Sequence, residues 1–139
     1  MVTVEIVNGS EDDVILLANM NKQLIEDEKH DNSMNIDELK ERMRGFLSTD
    51  FKAYYFKSEG NLVGYALVNI KQKPLYLRKF YICRNFRRMK YGTEAFKVLL
   101  NVLGTEEIEL DVLTWNERGI RFWKSLGFEE RTIYMRYKK

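Results

Sequence analysis

The chain has 139 residues, 45% of them hydrophobic and 32% charged, with a formal net charge of +2. This suits one soluble globular domain spanning residues 1–139, and no apolar run approaches a bilayer span. Cys83 and His30 are the only residues of their kinds, which argues against a disulfide framework, a cysteine zinc cluster or a multi-histidine metal site. No signal peptide is visible, and these features fit a cytoplasmic, reducing compartment.

Val2 to Val7 alternates as a first strand, and Asn8-Gly9 turns it. Ser10 is a candidate N-cap, with Glu11, Asp12 and Asp13 in the first turn of a helix running to about Lys29. Asn21 lies inside its apolar stripe. Asn35 and Glu38 read as the capping box of a second helix with Ile36, Leu39, Met43, Phe46 and Leu47 on one face. Phe51 to Lys57 is a second strand, Ser58-Glu59-Gly60-Asn61 has hairpin chemistry, and Leu62 to Ile70 is a third, with Gly64 marking a bulge. Pro74 opens a fourth strand that reaches Phe80, Tyr81 and Ile82. Gly92 ends a turn, Thr93 stands near a helix start, and Phe96, Leu99, Leu100 and Leu103 repeat at helical spacing until Gly104. A fifth strand is expected from Glu107 to Thr114, a helix from Asn116 to Gly127, and a final strand from Thr132 to Tyr137.

Charge is divided unevenly. Thirteen of the 21 acids precede residue 61, and 16 of the 23 Lys and Arg follow residue 60. Between the fourth strand and the third helix stand Arg84, Arg87, Arg88 and Lys90. The unpaired first-turn amides of a helix carry partial positive charge, so basic side chains beside them suit a phosphate.

Arg87-x-x-Lys90-x-Gly92 resembles the pyrophosphate loop of the GNAT superfamily of acyl-CoA-dependent N-acyltransferases, although Lys90 stands where that family usually has its first Gly. Asn116-x-x-x-Ile120-x-Phe122-Trp123-x-x-x-Gly127-Phe128 resembles the family's C-terminal signature. The resemblance implies an α/β (α+β) fold: a mixed, twisted sheet with helices on both faces and parallel fourth and fifth strands that splay apart. It implies that acetyl-CoA enters this gap along the backbone of Phe80, Tyr81 and Ile82. The diphosphate would sit on the segment Arg87, Arg88, Met89, Lys90, Tyr91, Gly92 and Thr93, with Asn116 and Trp123 also near the cofactor. No metal is implied.

The same resemblance implies that the Ile82 N–H meets the thioester carbonyl oxygen, whose negative charge grows during attack. The family's proton donor is often a Tyr after Phe in the last helix; here Trp123 follows Phe122, and an indole does not titrate in this range. Some members place a carboxylate base on the fourth strand. Tyr76 holds that position, and simple alternation sets it on the face of Arg78, Phe80 and Ile82.

The implied activity is transfer of an acetyl group to a primary amine by direct attack in a ternary complex. The acceptor is a small-molecule or protein amine, and Glu26, Asp27, Glu28, Asp31, Asp37, Glu38 and Glu41 along the first two helices suggest a cationic one. A homodimer is compatible; a membrane or nucleic-acid partner is not expected. Two other readings stand beside it: an acyl-CoA-binding domain that has lost catalysis, motivated by Lys90 and Trp123, and a basic nucleic-acid-binding module using Lys71 to Lys90.

Overall fold

A computed structural model describes residues 1–87 and 90–139. A five-stranded sheet has the order β1 (Thr3–Ile6), β2 (Phe51–Ser58), β3 (Asn61–Asn69), β4 (Leu75–Ile82) and β5 (Ile108–Glu109). The first four strands pair antiparallel, and β5 joins β4 in parallel. Helices α1 (Glu11–Asp27) and α2 (Ile36–Leu47) cover one face, while α3 (Tyr91–Leu103) and α4 (Glu117–Ser125) cover the other.

Local signals explain the helix starts. Ser10 and Asp13 form a capping box for α1, and Asn35 and Glu38 form one for α2. Lys90 caps α3 in a left-handed conformation, φ 64°. A left-handed residue at this position explains why glycine is the residue expected there. The α1/α2 face buries Val14, Leu17, Met43, Tyr55, Tyr65 and Tyr81. The opposite face buries Tyr54, Phe56, Val68, Leu77, Phe96 and Leu99.

β3 and β4 lie unusually close at Gly64. A Cβ there would stand 1.9 Å from the Tyr81 carbonyl oxygen, so only glycine fits. The expected irregularity also occurs at this point, as a register shift opposite Phe56 and Lys57.

A second register shift changes the reading of β4. Leu67 pairs with Lys79 and Val68 with Leu77, so Arg78 is an extra, unpaired residue. The bulge reverses the alternation. Leu75, Leu77, Phe80 and Ile82 all reach the α3/α4 side, leaving Tyr76, Lys79 and Tyr81 for the α1/α2 side. Tyr76 therefore does not share a face with Phe80 and Ile82, as unbroken alternation suggested.

Two strand expectations are corrected. β5 covers Ile108–Glu109 rather than Glu107 to Thr114, because its only ladder partners are Leu75 and Tyr76 and β4 then diverges. Thr132 to Tyr137 is not a strand: Ile133, Tyr134, Met135 and Tyr137 are 78–86% exposed. β-propensity without an edge to pair against does not make a strand. Arg136 instead reaches Asp31, with Nη1 3.0 Å from the carboxylate. No helix is long and apolar enough to cross a membrane among the described residues.

Candidate active site

The parting of β4 from β5 opens a seam. Cys83 N–H donates to the Val63 carbonyl at 2.7 Å, which fixes the direction of the neighbouring peptide groups. By alternation, the N–H and C=O of Ile82 face away from β3, toward the seam, as do those of Phe80. The Ile82 carbonyl there accepts a hydrogen bond from Arg87 Nε at 2.9 Å.

The seam ends against the first turn of α3. A Cβ built on Gly92 would lie 3.2 Å from the Phe122 ring and 3.8 Å from the Ile82 side chain, so Gly92, Ile82 and Phe122 converge. Phe80 stacks on Phe122 at 6.0 Å and meets Trp123 edge-on at 5.1 Å. Trp123 also packs edge-on against Phe96 and Phe128, at 5.4 and 5.2 Å. Its body thus belongs to the aromatic cluster under α4. Asn116 caps α4 by accepting from the Gly119 N–H at 3.0 Å. Tyr91 sits edge-on to Phe86 at 5.7 Å.

Of the expected site residues, Phe80, Ile82, Gly92 and Trp123 come together at this seam. Tyr91 and Thr93 stand at the start of α3, and Lys90 is exposed. Arg88 and Met89 lie outside the described residues. The Tyr81 side chain goes to the opposite face, where its hydroxyl bonds Gln23. Arg87 is turned inward: Nη2 lies 2.7 Å from Asp27, and its guanidinium carbon stands 5.2 Å over the Tyr81 ring. Arg84 also pairs with Asp27, at 2.8 Å. Burial raises the Asp27 carboxyl, but its hydrogen bonds to Arg84 and Arg87 outweigh this and hold it below the ordinary value.

The residues of the seam suit an acyl-CoA thioester. Strand-edge amides, helix first-turn amides and an apolar wall stand in the order that a pantetheine arm with a diphosphate end requires. No group of His, Cys, Asp or Glu that could hold a metal ion occurs among the described residues.

Tyr76 donates to Asp111 at 2.5 Å. Burial and that carboxylate push its phenol far up, so it does not serve as a base near neutral pH. Burial likewise raises the Cys83 thiol, consistent with packing. His30 Nδ1 accepts from the Asn32 N–H at 3.0 Å, and burial lowers its imidazole.

The acids expected to attract a cation are largely engaged. Glu26 and Asp27 meet Arg84, Asp31 meets Arg136, Asp37 meets Lys40, Glu38 belongs to a capping box, and Glu41 meets Arg44. Glu28 differs. Burial raises its carboxyl, with Lys79 acting in the opposite sense. Trp115 Nε1 donates to the Glu28 main-chain carbonyl at 3.0 Å. A carboxyl raised by burial beside a lysine has the character of a general base, and nothing in its sequence setting distinguished it from the neighbouring acids.

Comparison with known proteins agrees with this architecture. The profile described as Acetyltransferase (GNAT) family matches residues 19–128. The chain belongs to this family. It is 28% identical over 149 aligned residues to thialysine N-epsilon-acetyltransferase of Bos taurus, covering 95% of this chain and 88% of the relative. Among solved structures, a possible acetyltransferase from Clostridium difficile 630 superposes with a TM-score of 0.78 at 15% identity, covering 100% and 97% of the two chains. A predicted acetyltransferase from Clostridium acetobutylicum, crystallised with acetyl-CoA, has a TM-score of 0.74 at 16% identity, covering 99% and 96%.

Proposed function

We infer that the protein transfers the acetyl group of acetyl-CoA to a primary amine by direct attack in a ternary complex. The observation that carries this reading is the seam. The peptide groups of Phe80 and the N–H of Ile82 are turned away from β3 where β4 leaves β5, and the seam leads to the start of α3. Acetyl-CoA supplies a thioester whose acetyl group the amine accepts.

The residues divide the work as follows. The Ile82 N–H donates to the carbonyl oxygen as charge develops there. Arg87, by holding the Ile82 carbonyl, fixes the following peptide and the turn beyond it. Amides from Lys90 to Thr93 receive the diphosphate. Phe80, Phe122 and Trp123 exclude water from one wall. Glu28 takes a proton from the acceptor ammonium; the neutral amine then forms the C–N bond as the thioester C–S bond breaks, and the second amine proton goes to the departing CoA thiolate. The named relative supports an acceptor with a lysine-like amine.

The test is thiol release from acetyl-CoA across a panel of primary amines, with the acetylated product identified by mass. Saturable release that depends on one amine is expected. Calorimetric binding of acetyl-CoA without release by any amine would instead support a domain that binds the thioester and has lost catalysis.

A further inference from the structure

The α1/α2 face of β4 holds a group of cations that the chemistry above does not use. Arg42 comes from α2, and Arg78 and Lys79 come from the β4 bulge. The guanidinium carbons of Arg42 and Arg78 lie 5.6 and 4.8 Å from the centre of one ring, Phe46. None of the three cations enters an ion pair among the described residues. Arg42 Nε and Nη2 are buried without a hydrogen-bond partner, and so is the hydroxyl of the wholly buried Tyr65.

Such an arrangement is costly as it stands. Buried donors without acceptors lose their hydration, and the cations repel one another. Burial, then Arg42 and Arg78, bring the Lys79 ammonium down to about 8. Glu28 acts on Lys79 in the opposite sense, as the smallest of these influences. An incoming anion would satisfy the donors and relieve the repulsion. A planar carboxylate matches the fork of an arginine and the point charge of a lysine.

We propose that Arg42, Arg78 and Lys79, backed by the Tyr65 hydroxyl, form a carboxylate-binding subsite for the acceptor, which is therefore an amino acid acetylated on a side-chain amine. The proposal rests on the acetyl-transfer reading. It fits the position of the cluster, because Lys79 precedes Ile82 by three residues, about 10 Å along a strand. An amino acid held by its carboxylate at the bulge can thus extend its side-chain amine toward the seam. The acceptor is zwitterionic, and its α-carboxylate decides where it binds.

Lysine and lysinamide differ at the carboxylate and share the side-chain amine. Their kcat/KM values, read by thiol release, are compared in the native protein and in the Arg42→Gln and Lys79→Gln variants. Lysine is expected to lead by about tenfold in the native protein, and each variant should bring the ratio close to one. Equal use of both amines by the native protein would overturn the subsite, as would a lysine preference that survives in both variants. Circular dichroism identifies a variant that fails to fold, and the other variant then decides. Calorimetric titration of the native protein with the same two compounds separates this proposal from the reading it rests on. Tighter binding of lysine without thiol release keeps the subsite and removes the transferase; thiol release with equal binding and equal rates does the reverse.

Discussion

Arg87 Nε donates to the Ile82 carbonyl at 2.9 Å, so one side chain ties the basic turn to the end of β4. The same guanidinium bonds Asp27 at 2.7 Å. Arg87→Ala should weaken acetyl-CoA binding by about 1–3 kcal/mol and lower the melting temperature. Asp27→Asn should also weaken binding, because Asp27 holds Arg87 in place. If Arg87 instead grips the phosphates directly, freeing it from Asp27 would tighten binding. Calorimetry on the two variants decides between these roles.

Lys90 occupies the left-handed region at φ 64°. Gly and Ala at this position both remove the charge, so their comparison isolates the backbone. Lys90→Gly should be more stable than Lys90→Ala by about 1 kcal/mol in denaturant unfolding. Equal stability would mean that the turn relaxes out of this conformation in the variants.

Trp123 packs edge-on against Phe80, Phe96 and Phe128. Trp123→Ala should destabilise the fold by about 3 kcal/mol. Trp123→Phe should leave the form of the pH–rate profile unchanged, since an indole contributes no ionisation near neutrality. Loss of a titrating limb in that variant would contradict the packing role.

Glu28 and Tyr76 can be told apart by the same profile. Burial raises the Glu28 carboxyl above its ordinary 4.5, so the acidic limb of kcat/KM should lie above that value and disappear in Glu28→Gln. Tyr76→Phe should keep the limb, because the phenol bonded to Asp111 remains protonated throughout. The reverse pattern would reinstate Tyr76 as the base.

Tyr55 donates to Asp13 at 2.6 Å, and this hydrogen bond holds the Asp13 carboxyl below its ordinary 3.8 despite partial burial. A carboxyl lowered in the folded state stabilises above its unfolded pKa, and the benefit is lost as pH falls through the folded value. Tyr55→Phe should therefore cost about 1–2 kcal/mol at neutral pH. The difference from the native protein should shrink as pH drops below 3.8, measured by urea unfolding. A difference independent of pH would assign the effect to packing.

Much of this architecture was legible because it is encoded locally. The Asn35–Glu38 box, the apolar stripes of the helices and the hairpin at Ser58–Asn61 each depend on residues a few positions apart. The seam was legible only through family resemblance, since neither Phe80 nor Gly92 announces a partner in α4. The length of β5 was not readable, because it depends on where β4 turns away. The tail around Tyr134 alternates convincingly, yet strand formation needs a free edge that no local pattern reveals. Arg42 sits at the border of the α2 apolar stripe and reads as an ordinary surface residue. Tyr65 reads as core, and only the packed structure shows its hydroxyl without a partner.

The extra residue at Arg78 makes β4 a strand of two phases. Before it, odd-numbered positions turn toward α3; beyond it, even-numbered positions do. One short segment can therefore offer an oily side to a thioester and a charged side to a second reactant without crossing them. Deleting Arg78 would restore plain alternation, with Leu75, Leu77, Phe80 and Ile82 still turned toward α3 and Tyr76, Lys79 and Tyr81 still turned the other way. A library that varies the residues of β4 can explore acceptor chemistry freely, and one that drops Arg78 alone would remove a cation while leaving the two surfaces on their own sides.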